Sequence, residues 1–228
     1  VNRVRTIQGP GPGPGDGAGS EAVVPELVWY AAYGSNMLLG RLMHYIAGGR
    51  PPGAARGCPG CRDRRPPRAS VPVELPGVVY FATESALWSG GRAFYDPGAR
   101  GRVYTRAHLV TAEQFADIAA QEMYGEPGFV PDLGPALRHG RARIGDGRYE
   151  TLVCPGTLDG LPVLTFTAPW ALGDVDLNAP SGGYLRQLAT GLMETAAWDE
   201  AAVTAYLAAC PGAAGTWTAE RVAGLLRD

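Results

Sequence analysis

LVWYAAYGSNMLLGRLMHYIA, residues 27–47, is the stretch on which the reading of this chain turns. It opens with an unbroken apolar run, residues 27–33, too short for an ordinary helix and rich in strand-forming side chains, so it predicts a buried strand. Gly34, Ser35 and Asn36 break the run with a residue free to take positive φ and two preferred helix-capping residues. Leu38, Leu39, Leu42, Met43 and Ile46 then recur at helical spacing. A strand feeding through a glycine turn into a helix directs free backbone N–H groups, and the positive end of the helix dipole, at one point. Such a turn suits a carboxylate or a polarised carbonyl oxygen. On its own the tripeptide is better read as a simple helix cap at Ser35.

Composition narrows the field around that turn. Of 228 residues, 46% are hydrophobic, which excludes a wholly disordered chain and allows one sizeable core. No apolar run reaches the ~18 residues of a membrane helix. The first 22 residues lack the apolar centre of a signal peptide, so the expected location is cytoplasmic. A net charge of −2 gives no electrostatic case for nucleic acid or a membrane surface. All 20 basic residues are arginine, which fits a GC-rich codon bias and excludes lysine-based catalysis. Four cysteines are too few for a disulfide scaffold in a chain of this length.

Residues 1–24, with alternating Gly and Pro between Gly9 and Gly17, predict a flexible tail, with one domain over 25–228. Residues 48–72 form an Arg/Pro-rich insertion whose Cys58-Pro-Gly-Cys61 pair lacks the further ligands of a zinc site and the helix of a redox motif. It is read as an unliganded surface loop, its arginines a solvated face. Arg41 is read as structural, on the polar side of the first helix. Strands are expected over 77–85, on both sides of the Asp96-Pro97-Gly98 turn, and over 148–154 and 161–166.

The second informative segment is TAEQFADIAAQEMYG, residues 111–125. Thr111 and Gln114 form a capping box, so a helix starts there. Phe115, Ile118, Ala119 and Met123 make its apolar stripe, while Glu113, Asp117 and Gln121 belong to other faces. Glu122 lies three, four and seven residues after members of the stripe and therefore points inward. An inward carboxylate is costly unless bonded, paired or protonated, which makes it either a satisfied structural acid or a general acid/base with a raised pKa. Further on, Ser181 is an N-cap for a helix carrying Leu185, Leu188 and Leu192 inward, and Asp199 and Thr218 cap two more helices. Gly90 and Gly91 allow a turn or a close backbone approach.

Three motifs in order, AYGSNM at 32–37, Gly101-x-Val103-Tyr104 followed by Glu122, and Pro180-Ser181-x-x-Tyr184, resemble the γ-glutamylcyclotransferase-like family. The resemblance covers residues 28 to about 192. It implies an α+β fold, a small mixed β-barrel or curled sheet flanked by helices, with Glu122 as the catalytic acid/base. It also implies a substrate pocket of Tyr33, Gly34, Ser35, Asn36, Met37, Gly91 and Tyr184. The implied reaction cleaves a γ-glutamyl amide by attack of its own α-amine, releasing 5-oxoproline and an amine or amino acid. It needs no cofactor or metal, and the partner is a small γ-glutamyl molecule. One position departs from the pattern: Phe129 stands where some relatives have a tyrosine, leaving Tyr124 as a substitute or the hydroxyl dispensable. Two other functions fit the residues: a serine amidohydrolase using Ser35, and a non-catalytic binding protein.

Overall fold

The computed structural model describes residues 3–9, 24–51 and 56–227. In chain order the strands and helices are β1 (Arg5–Thr6), β2 (Leu27–Ala32), α1 (Leu39–Ala47), β3 (Ala69–Pro76), β4 (Val78–Ala82), β5 (Arg92–Asp96), β6 (Arg102–Thr111), α2 (Ala112–Glu122), α3 (Gly134–His139), β7 (Arg141–Arg143), β8 (Thr151–Leu158), β9 (Leu161–Thr167), α4 (Gly182–Met193), α5 (Glu200–Ala209) and α6 (Ala219–Leu225). The architecture is α+β. A seven-stranded mixed sheet runs β1-β3-β6-β2-β9-β8-β7, and β4 and β5 form a separate ribbon.

β2 holds the middle of the sheet, antiparallel to β6 and parallel to β9, which is why its sequence is apolar without alternation. The ribbon is tied to β9 through one side chain: the Thr167 hydroxyl accepts from the Tyr95 N–H at 3.0 Å and donates to the Tyr95 carbonyl at 2.8 Å. This brings the ribbon's Tyr95 over Tyr33, with ring centroids 5.8 Å apart, so the ribbon leans over the end of β2.

Residues 3–9 depart from the expectation of a free tail. Arg5–Thr6 pairs in parallel with Val73 and Glu74, and Gln8 exchanges two backbone hydrogen bonds with Thr157 at 2.8 and 2.9 Å. Two strand residues are too few to leave a periodic signal. The Gly/Pro repeat at 10–23 lies outside the described residues.

The insertion is also more structured than its composition implies. β3 begins at Ala69, inside the span read as loop. Arg62 lies against α2, where its guanidinium and backbone N–H bond the Asp117 carboxylate at 2.9–3.2 Å. Gln121 donates to the Tyr45 carbonyl at 3.0 Å, and the Cys61 thiol to the same carbonyl at 3.4 Å. Asp117 and Gln121, assigned to faces other than the apolar stripe, are therefore buried beneath this loop. Helical spacing assigns a face but cannot report what a distant segment lays over it.

Candidate active site

The turn after β2 differs in detail from its expectation. Gly34 is extended, at φ −110° and ψ −152°, and uses no positive φ. Ser35–Met37 forms a single 3-10 turn, and α1 starts only at Leu39, with no side-chain cap. Three residues generate little dipole; what the turn presents is its leading N–H groups, which have no partner within the turn itself.

The other half of the site comes from α2. Thr111 caps it as expected, its hydroxyl accepting from the Gln114 N–H at 3.0 Å while the Gln114 side chain accepts from the Thr111 N–H at 3.0 Å. With the start pinned, the apolar stripe fixes the rotation of the helix, and Glu122 arrives as its last residue, facing β2. Asn36 donates its side-chain N–H to Glu122 Oε1 at 3.0 Å, and to the Tyr30 hydroxyl at 3.2 Å. The two motif segments thus meet in one contact.

Around it lies a cavity of about 50 Å³ lined by Tyr30, Tyr33, Gly34, Ser35, Asn36, Ala93, Glu122, Tyr149, Phe166 and Tyr184. Six of its lining groups come from aromatic or apolar side chains, so it is a poor solvent for charge. Burial is accordingly the largest influence on Glu122 and raises its pKa. The Tyr45 phenol, the Arg41 guanidinium, the Asn36 amide and Arg148 favour the carboxylate without cancelling the rise. Position at the C-terminal end of α2 also disfavours negative charge. Glu122 is thus a buried carboxyl held above the ordinary carboxylate range. The Asn36 carbonyl oxygen Oδ1 is buried and has no partner among the described residues, a free acceptor beside it.

The predicted residues distribute as follows. Tyr33, Gly34, Ser35, Asn36, Glu122 and Tyr184 line the cavity. The Tyr33 hydroxyl donates to the Phe166 carbonyl at 2.8 Å, and the Tyr184 ring stacks on Trp88 at 5.3 Å and meets Phe81 edge-on at 6.1 Å. Met37 does not frame the site: it is core, packed where α4 crosses the turn at Gly191. Gly91 does not line it either. A Cβ there would stand 1.9 Å from the Asn178 carbonyl oxygen, so this glycine permits two backbone segments to cross. Tyr124 is exposed, stacked against Arg148 at 4.4 Å, and Phe129 is also exposed; neither lines the cavity. Tyr30, Ala93, Tyr149 and Phe166 were not singled out from sequence. Tyr30 was legible as an inward residue of the apolar strand, whereas Tyr149 falls in the strand expected over 148–154 but precedes β8, which starts at Thr151.

No histidine among the described residues hydrogen-bonds Ser35. Among the described residues His108 is the one that approaches this turn, and it is occupied: Nδ1 lies 2.7 Å from Ser70 Oγ and Nε2 lies 3.1 Å from the Asn36 backbone carbonyl. A carbonyl only accepts, so Nε2 carries the proton and Nδ1 accepts from the serine hydroxyl. Burial holds that ring neutral, its pKa pushed down to about 3. Among the described residues no three His, Cys, Asp or Glu side chains converge as metal ligands, and no helix is long and apolar enough to cross a membrane.

No family model matches the chain. It is 29% identical over 201 residues to histone deacetylase 5 of Arabidopsis thaliana, an alignment covering 79% of this chain; the chain spans 30% of that protein's length. Among solved structures it is similar to an uncharacterized protein from Homo sapiens, with a TM-score of 0.43 and 16% identity over 75% of this chain and 81% of that one. It is likewise similar to a gamma-glutamyl cyclotransferase, with a TM-score of 0.41 and 16% identity over the same shares of each chain.

Proposed function

We propose that the protein is a cyclotransferase acting on γ-glutamyl amides, with Glu122 moving the protons. The observation that carries this reading is the 3.0 Å hydrogen bond from Asn36 to Glu122, which unites the glycine turn and the inward carboxyl in one small cavity.

The chemistry follows from what these groups can do. A γ-glutamyl amide holds its own nucleophile, the α-amine, which closes a five-membered ring on the γ-carbonyl. As a carboxylate, Glu122 takes a proton from the α-ammonium group, with the unpartnered Asn36 Oδ1 accepting another of its N–H bonds. As a carboxylic acid, it then returns the proton to the departing nitrogen. The leading N–H groups of the 3-10 turn face the developing oxyanion, a kind of interaction whose loss typically slows catalysis ~100-fold or more. The narrow cavity keeps the glutamyl chain curled, which supplies proximity. Cytoplasmic residence and action on a small molecule, without nucleic acid or membrane, belong to the same proposal.

The test is incubation with a panel of γ-glutamyl peptides and amines, followed by mass detection of 5-oxoproline. In oxygen-18 water the product stays unlabelled; label in released glutamate would instead reveal a hydrolase working through Ser35. Glu122→Gln should lose turnover by orders of magnitude while still binding. A panel that binds and is never cleaved would leave a binding protein on this fold.

A further inference from the structure

Arg41 contradicts the solvent-facing position that helical spacing assigns it. It is 9% exposed, and its guanidinium carbon lies 5.8 Å from the centroids of both the Tyr45 and Trp88 rings. Its Nε is buried without a hydrogen-bond partner, and among the described residues no carboxylate lies within ion-pair distance of it. Other arginines that lie against a helix or strand here do have acids: Arg62 has Asp117 and Glu113, and Arg106 has Glu194. Glu122 feels the Arg41 charge at longer range, but among the described residues no carboxylate bonds it directly, and a buried guanidinium without a direct partner is a standing cost that native proteins offset with a hydrogen-bonded acceptor.

Position says what that acceptor is. Tyr45 follows Arg41 by one helical turn and reaches the carboxyl of Glu122. Trp88 stacks on Tyr184, which closes the cavity wall beside Gly34. Arg41 therefore joins two residues that flank the cavity, yet is not itself among the ten that line it. It stands just outside that lining, and on the cyclotransferase reading, with the glutamyl part filling the cavity, the leaving group extends toward it. A second arginine without an acid partner among the described residues, Arg148, lies against the Tyr149 and Tyr124 rings and adds positive potential felt at Glu122.

We propose that Arg41, clamped between Tyr45 and Trp88, is a specificity-determining residue that receives a carboxylate carried by the leaving group of the substrate. A planar guanidinium held between two rings keeps its edge free for two-point binding of a carboxylate, an arrangement lysine does not reproduce. This rests on the cyclotransferase reading, and favours leaving groups that end in an acid over neutral amines of equal size.

The experiment compares γ-glutamylglycine with γ-glutamylglycinamide, which differ in that charge. Wild-type kcat/KM should favour the acid by roughly 10- to 100-fold, the range of a charge-assisted hydrogen bond. Arg41→Met should bring the ratio close to one, chiefly through a raised KM for the acid, and Arg41→Lys should fall between. A wild type without preference, or a methionine variant that slows both substrates equally, would overturn the assignment; the second result marks a merely structural arginine. Failure of the cyclotransferase reading shows differently, as no cleavage of either compound. In that event thermal shift with N-acetylglycine and N-acetylglycinamide still decides the arginine. Stabilisation by the acid alone, weakened in Arg41→Lys and lost in Arg41→Met, upholds it, and equal or no stabilisation overturns it.

Discussion

Asn36 and Glu122 are 86 residues apart in the chain, and the amide of one donates to the carboxylate of the other at 3.0 Å. That single bond does two things. It fixes the rotamer of the carboxyl, and it is one of the few influences that favour the ionised form against burial. Replacing Asn36 by Ala should therefore raise the pKa of Glu122 further. The base form is then scarcer at low pH, so the acid limb of the kcat/KM profile moves to higher pH. Loss of orientation should lower the plateau by about 10- to 100-fold. A pH–rate profile of the variant measures both, and an unmoved acid limb would show that Asn36 does not tune this carboxyl.

His108 makes a different pH prediction. It is buried on β6 between Ser70 Oγ and the Asn36 carbonyl, with the Arg106 charge nearby, and its pKa falls from 6.5 to about 3 through burial first and that charge second. The unfolded chain binds a proton below pH 6.5 and the folded one does not until about pH 3. Stability is whole above the unfolded value and lost as pH falls through this window. Urea unfolding at neutral and mildly acidic pH should show the loss in the wild type and a smaller one in His108→Gln. Equal losses would mean that this ring is not the acid-sensitive group.

How far these relationships were visible in the sequence depends on their range. The buried strand, the capping box at Thr111 and the inward phase of Glu122 are local facts, set by spacing along a single element. The meeting of Glu122 with Asn36 was reachable only through the family resemblance, because no local pattern encodes a contact across two elements. The burial of Asp117, Gln121 and Arg41 was missed for a shared reason. Each sits on the polar side of its own helix, and each is covered by something else, the 58–65 loop for the first two and Trp88 for the third. Gly91 failed in the opposite sense: its small size was noticed, but the close neighbour is the Asn178 carbonyl rather than a ligand.

Asp117 connects the insertion to the site. Its carboxylate accepts from Arg62 and from the Gly128 N–H at 2.9 Å, tying the 58–65 loop and the segment after Glu122 to α2. Burial pushes its pKa up, but the Arg62 guanidinium and the N–H groups of Arg62 and Gly128 outweigh burial and hold it below 3.8. The stability it contributes is present above that unfolded value and fades as pH falls through the folded one. Asp117→Asn should cost roughly 1–3 kcal/mol at neutral pH, toward the lower end because Arg62 is half-exposed. The gap to wild type should narrow in acid. Denaturant melts at both pH values test this, and a gap that widens in acid would contradict it.

Gly34 and Gly91 separate binding from folding. At Gly34 the backbone is extended and open to any residue, but a Cβ would come within 3.3 Å of the Tyr184 hydroxyl. The hydroxyl ends a movable side chain, so Gly34→Ala should fold with a near-normal melting temperature while pushing Tyr184 a few tenths of an ångström. In a cavity of about 50 Å³ that displacement matters, and kcat/KM should drop by about tenfold. At Gly91 the obstacle is backbone, the Asn178 carbonyl oxygen 1.9 Å from the added carbon, and neither segment yields without breaking the Gly91 N–H bond to the Ala179 carbonyl at 2.8 Å. Gly91→Ala should therefore cost on the order of 3 kcal/mol of stability, as forced overpacking does. Whatever fraction remains folded should keep its KM. Calorimetry with kinetics on the two variants distinguishes the roles, and a Gly91→Ala protein that melts normally but binds poorly would return that glycine to the site.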